Sequence, residues 1–277
     1  MRDFRLLLSL TASALLAGCA GPATKSAAPA AVHVVPAPAP LANVAPQASP
    51  ERAPGELDRL RQLAPDADPG VLALALQARA CAVRNGQADA NARLAVIDYS
   101  LPSTHKRLWV FDLAQGKLMF HEHVSHGQGS GENVARRFSN VEGSYATSLG
   151  LYRTAETYMG GNGYSLRMDG LDPGFNDAAR QRAIVMHGAW YANPDLIAKQ
   201  GRLGRSQGCP ALREGIAKVV IDTMKQQQLL FAYADDATWL QRGRSFACDG
   251  RSARQILAAA RQATPGGGVM TASIAAP

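Results

Sequence analysis

Seven consecutive residues, Gly204-Arg205-Ser206-Gln207-Gly208-Cys209-Pro210, set one cysteine among small residues and an arginine, shortly after the dipeptide His187-Gly188. A thiol attacks carbonyl carbon only as thiolate, so it needs a nearby cation or an imidazole that accepts its proton. Glycine beside the nucleophile lets a substrate carbonyl approach the backbone and frees N–H groups for a developing oxyanion. The chemistry these residues suit is acyl transfer through a thioester. Cys209 is the expected nucleophile and His187 its base. The N–H groups of Gly208 and Cys209 are the expected oxyanion hole. Arg205, four residues before the cysteine, suits either a substrate carboxylate, the thiol or a structural ion pair. Ser206 is a candidate for the substrate cleft, and so are Tyr191, Tyr158, Ser139 and Asn140, these four with packing or a turn as the alternative role.

Other residues suit other chemistry less well. His121 and His123 lie on one side of a strand, as a zinc pair can. No third and fourth ligand follows at clear spacing, so surface histidines are the better reading and no metal or cofactor is expected.

The elements that must position the site come from periodicity. Residues 93–99, 107–112 and 117–124 read as strands, the last two joined through Ala114-Gln115-Gly116 as a hairpin. Short strands follow near 146–154 and 164–168, and Ala183-Ile184-Val185-Met186 is a strand that delivers His187. Ile216 to Gln227 reads as a helix and Leu229 to Tyr233 as a closing strand. The catalytic part, 91–235, is therefore mainly β. Ahead of it, 55–90 reads as a helical appendage, a short helix and a longer one near 70–84 split by Pro65 and Pro69. Residues 236–277 form a C-terminal extension, expected to be disordered from about residue 265, where Pro265 opens a run of glycines.

The 277 residues carry 29 Lys+Arg against 22 Asp+Glu, a net charge of +7. This serves solubility or attraction to an anionic partner, such as cell-wall polymer or lipid headgroups. No aromatic-basic stripe points to nucleic acid. At the front, Arg2 and Arg5 precede an apolar run from Leu6 to Leu16 that is too short to span a bilayer, which is the pattern of a secretory signal over 1–18. Leu16-Ala17-Gly18-Cys19 resembles a bacterial lipoprotein processing site, with Cys19 the lipidated residue; an ordinary cleaved signal is the alternative. Ala20 after the cysteine favours the outer membrane of a double-membraned bacterium. The expected location is therefore the periplasm, anchored to the inner leaflet of that membrane. Residues 19–54, rich in Ala and Pro, read as a tether that reaches on the order of 100 Å. Export to an oxidising compartment leaves Cys81 and Cys248 as a predicted disulfide, two separate buried thiols being the alternative.

The stretch from Leu94 to Tyr233 resembles the L,D-transpeptidase (YkuD-like) catalytic domain, in the branch whose cysteine motif is Gly-Arg-Ser-x-Gly-Cys-Pro-Ala. The resemblance rests on Val124-Ser125-His126-Gly127, Phe138-Ser139-Asn140, Thr147-Ser148-Leu149-Gly150, Gly163-Tyr164-Ser165-Leu166, His187-Gly188-Ala189-Trp190-Tyr191 and the motif itself, in the family's order. It implies a β-sandwich or barrel with few short helices. It further implies action on peptidoglycan stem peptides, with transfer of a Cys-bound tetrapeptide to an amine. It gives the Gly188 carbonyl the task of holding the imidazole tautomer and sets His126 beside the cleft. Water in place of the amine gives an L,D-carboxypeptidase, endopeptidase or amidase. A non-catalytic wall-binding lipoprotein is a third reading, against which the Cys209–His187 pair argues. A monomer is the expected state. Gln207 stands where the family usually has histidine, and Pro210 follows the cysteine.

Overall fold

The computed structural model describes residues 55–263. The expected signal over 1–18, Cys19, the tether over 19–54 and the disordered end from about 265 lie outside the described residues.

Eight strands form one sheet. They are β1 (Leu94–Asp98), β2 (Leu108–Asp112), β3 (Lys117–Glu122), β4 (Gly150–Gly160), β5 (Gly163–Gly170), β6 (Val185–Gly188), β7 (Ala211–Leu212) and β8 (Leu229–Tyr233). Their order is β3-β2-β1-β8-β4-β5-β6-β7. Two neighbouring pairs are parallel, β1 with β8 and β6 with β7; the others are antiparallel. The sheet nearly closes on itself. Ser125, just past one edge strand, bridges Ala211 in the other, its N–H donating to the Ala211 carbonyl at 2.9 Å. Curling into a barrel in this way leaves little open edge.

Strands β1, β2 and β8 are buried along their full length. Both of their faces are therefore covered, which explains the near-continuous apolar runs Leu94-Ala95-Val96-Ile97 and Leu229-Leu230-Phe231-Ala232. The cover comes from helices. After α1 (Glu56–Leu63), α2 (Pro69–Arg84) starts at Asp68, whose carboxylate accepts the N–H groups of Gly70 and Val71, with Pro69 in the first turn. Leu72, Leu74, Ala75 and Ala78 are fully buried on it. This helix packs on β1, β4 and β8, and also on α6 (Ala253–Gln262).

The expected appendage is thus continuous with the barrel core, and so is the C-terminal extension up to residue 263. One hydrophobic cluster runs from Leu60 through the sheet to Leu257. Cys81 of α2 and Cys248 are joined in a disulfide, with Cα atoms 5.6 Å apart. Asp172 adds a polar anchor: fully buried, it accepts from Trp239 Nε1, Ser245 Oγ and the backbone N–H of Arg244 and Ser245. Trp239 belongs to α5 (Ala237–Arg242).

The β4–β5 hairpin is longer than the sequence suggests. It runs to a two-residue turn at Gly161-Asn162. Its outer half leaves the core, so the burial that imposes alternation fades after Thr154. The helix expected over 216–227 is α4 (Glu214–Met224), and it packs under β5, β6 and β7. A short α3 (Asp195–Gln200) lies in the crossover between β6 and β7.

Candidate active site

The site grows from the parallel pair β6–β7. His187, one residue before the end of β6, is in register with Ala211, and Cys209 precedes Ala211 by two residues. That spacing carries the cysteine back along β6 to the level of Val185. The contacts agree, because the Val185 N–H donates to Cys209 Sγ at 3.5 Å.

His187 is buried, and its Nδ1 lies 2.9 Å from the Gly188 carbonyl. A carbonyl only accepts, so Nδ1 carries the hydrogen and Nε2 is left as the acceptor. Burial lowers the imidazole's pKa below its ordinary value, against a smaller upward pull from the Gly188 carbonyl. The ring is therefore a neutral base at neutral pH. Tyr191 meets it edge-on, with centroids 6.4 Å apart. Burial pushes the Tyr191 phenol up to about 12, so its hydroxyl keeps its proton.

The cysteine loop is braced by Ser206. Its Oγ donates to the Cys209 carbonyl at 2.7 Å and accepts the Gly208 N–H at 3.1 Å. Its N–H donates to the His126 carbonyl, and its own carbonyl accepts from Gln128. Gly208 sits at φ +124°, where a Cβ would also meet the Ala146 carbonyl and the Ile184 side chain at 2.9 Å. Only glycine fits there.

This bracing corrects one expectation. The Gly208 N–H already has a partner and faces Ser206, not the cleft. The N–H groups of Gln207 and Cys209 donate to none of the described residues, and both residues line the cleft. They are the backbone donors left free at the cleft.

Cys209 is 8% exposed. Its Sγ donates to the Ala183 carbonyl at 3.8 Å, and no hydrogen bond joins it to His187 among the described residues. Burial pushes the thiol up; the Val185 N–H and the Arg182 charge draw it back down. Ala183 takes a left-handed backbone, φ 51°, and so does Tyr145, φ 52°. Both line the cleft, where locally costly backbone is often held.

The cleft has a volume of about 610 Å³ and is lined by Cys209, His187, Tyr191, Arg205, Ser206 and Gln207 together with Gln128, Glu142, Gly143, Tyr145, Asn162, Arg182 and Ala183. The other expected lining residues lie elsewhere. The Asn140 side chain bonds Asp177 and the Ala178 N–H, while the Ser139 carbonyl accepts from Arg182. The Tyr158 ring stacks under Arg167, 4.2 Å from its guanidinium carbon. His126 is fully buried; its Nδ1 accepts from Arg107 at 2.8 Å, and its Nε2 faces the Gly131 carbonyl. It supports the cysteine loop through its own carbonyl. Trp190, 69% exposed, stands outside the core.

Arg205 lines the cleft, but its charge is met by Glu132 at 2.7 Å, and Glu132 also pairs with Arg202. The cation near the thiol is Arg182, which the motif did not single out. The signal was present as a basic residue just before the strand that carries His187. His121 stacks on Trp109 and bonds Asp66, while His123 turns to the Thr104 carbonyl.

A cysteine and a tautomer-fixed histidine in one cleft of a nearly closed barrel define a class of β-rich enzyme-like domain. The profile of the L,D-transpeptidase catalytic domain matches residues 63–233, more than half of the chain, and the protein belongs to that family. Similar solved structures include an L,D-transpeptidase from Mycobacterium smegmatis, 14% identical over 52% of this chain and 59% of that one, TM-score 0.33. Another is the L,D-transpeptidase of Stackebrandtia nassauensis, 14% identical over 64% and 75%, TM-score 0.33. The helical cell shape determining protein Pgp2 of Campylobacter jejuni is 15% identical over 69% and 62%, TM-score 0.36. This chain thus spans less than two thirds of the Mycobacterium protein's length. No curated protein matches it.

Proposed function

We propose that the protein is a peptidoglycan L,D-transpeptidase that works through a Cys209 thioester. The observation that supports this most is that Cys209, the one free cysteine among the described residues, lines one cleft with a histidine whose Nδ1–H is fixed on Gly188. For reaction, the side chain turns from Ala183 toward His187, and the Sγ proton passes to Nε2. The thiolate adds to the carbonyl carbon of the bond after the third stem residue. The oxyanion that forms is held by the N–H groups of Gln207 and Cys209. Collapse breaks the C–N bond, and the leaving amine takes the proton from His187, giving the thioester. An acceptor amine then adds, returns its proton through His187 and frees the thiolate.

Water in the acceptor's place gives the hydrolytic outcome. The mature protein is proposed to be lipidated at Cys19 and held near the wall in the periplasm, within the Gly-Arg-Ser-x-Gly-Cys-Pro-Ala branch of the family. Incubation with a tetrapeptide muropeptide, with and without a free amine, decides the acceptor by mass spectrometry. A crosslinked or amine-extended product marks a transferase, and a shortened monomer alone marks a hydrolase. Products unchanged in Cys209→Ala would remove the thioester mechanism altogether.

A further inference from the structure

We propose that Arg182 is the cation that stabilises the Cys209 thiolate when it forms, supplying from the loop before β6 a charge that the side chain at position 207 lacks. The inference rests on Cys209 being the nucleophile.

Three observations carry it. Arg182 lines the same cleft as Cys209, and its Nη2 lies 3.5 Å from the point that a Cβ on Gly208 would occupy, one residue from the thiol. Its guanidinium is fixed by four acceptors: the Ser139 and Ala146 carbonyls and the hydroxyls of Ser144 and Ser148. All four are uncharged, and no carboxylate pairs with it among the described residues. Its neighbours differ. Arg180 is paired with Glu156 and Asp169, Arg205 and Arg202 with Glu132, and Arg213 with Glu122. Arg182 therefore keeps a positive charge that no ion pair takes up and that Glu142 offsets only through space, half-buried and pre-oriented, beside the place where negative charge develops. A charge so placed costs no reorganisation when the proton leaves.

The groups facing Sγ come from several elements. His187 lies on β6 and Tyr191 follows it, while Arg205 and Glu142 also line the cleft. Tyr99, after β1, is buried and keeps its proton. Of these, His187 is neutral at rest, and Arg205 is already paired with Glu132. In the transfer itself the Sγ proton goes to His187 Nε2, leaving thiolate and imidazolium. Arg182 gains an anion partner and exchanges no proton.

The test is the pH dependence of iodoacetamide alkylation at Cys209, followed on its own peptide by mass spectrometry in the unreduced full chain. It reads thiolate directly and needs no turnover. In Arg182→Gln, the inflection is expected to rise by about one pH unit and the rate at neutral pH to fall ~10-fold. Arg182→Lys keeps the charge without the fork and is expected to stay within about threefold of the native rate. A native profile in Arg182→Gln overturns the proposal. So does an equal displacement in both variants, which would mark Arg182 as a brace for the 139–148 segment only. If Arg182→Gln loses its cooperative melt, Arg182→Lys decides alone: a native inflection supports the proposal, and a rise of a full unit overturns it. Should the native protein form no acyl-enzyme while Arg182→Gln still shifts the inflection, the transpeptidase reading fails and the electrostatic role stands.

Discussion

Ser206 illustrates how one hydroxyl fixes a reactive geometry. It closes a small ring with the Gly208 N–H and the Cys209 carbonyl, and so decides which amides remain free. Ser206→Ala strands the Gly208 N–H in a buried place. Leaving such a donor unpaired costs about 1–3 kcal/mol, so acyl-enzyme formation is expected to fall ~10-fold or more with the protein still folded. An unchanged rate of adduct formation would show that the ring is dispensable. His187 makes a second prediction. Its lowered pKa means that the free base persists into mildly acidic solution. The acid limb of acylation against pH is therefore expected below the ordinary imidazole range, and a limb above it would contradict the buried, neutral base.

Much of this scale was legible in the sequence. Cys209 and His187 stand out because the chemistry requires these residue types, and the Gly188 carbonyl through the family resemblance. Arg182 did not stand out, because its role depends on which neighbours have already taken the available partners. Ser139 and Asn140 lie in a stretch that resembles the family, yet they and Tyr158 serve turns and packing.

At the scale of elements, the strands were readable where both faces are buried. Residues 229–233 were read with the observed bounds of β8, and 94–98 lie inside the predicted 93–99. Elements whose stability comes from distant partners were hidden. The two-residue β7 has no local signal and exists by pairing with β6. Likewise α2 is apolar on much of its surface, which shows from sequence alone only that it packs, not on what. Its burial against the sheet makes a firm test. Leu74→Ala, at a fully buried position, is expected to cost about 2–5 kcal/mol, and the whole described body should unfold in one transition. A separate early transition for the helix would restore the appendage view.

For the described body as a whole, two buried groups set opposing responses to acid. Burial and the nearby Arg107 charge hold His126 down at about 3. The unfolded chain thus takes a proton that the folded one refuses, and stability falls as pH drops from about 6.5 toward 3. Asp98 runs the other way, because burial raises it to about 6. The folded state binds that proton first, so stability rises as pH falls from about 6 to the ordinary carboxylate range. The two partly cancel in the overlap. Asp98→Asn can still accept from Ser100 but cannot titrate. Its stability is expected to fall more steeply between pH 6 and 4 than that of the native protein, as read from urea midpoints across that range. Parallel curves would show that Asp98 carries no proton linkage.

The parallel register of β6 and β7 has a consequence for how such a protein can diversify. His187 and Cys209 are locked to each other by strand pairing and by the Ser206 ring, not by the chain that runs between them. That crossover, residues 189–210, carries Tyr191 on the cleft wall and the exposed Trp190, then arcs out through α3. Its outer arc is free to change length while Cys209 and His187 stay in place. A Gly-Ser insertion between Gln200 and Gly201 is expected to leave adduct formation at Cys209 within about threefold of native. Under the proposed function, the reacting pair and the cleft wall can therefore be inherited separately, so the wall can change without moving the pair.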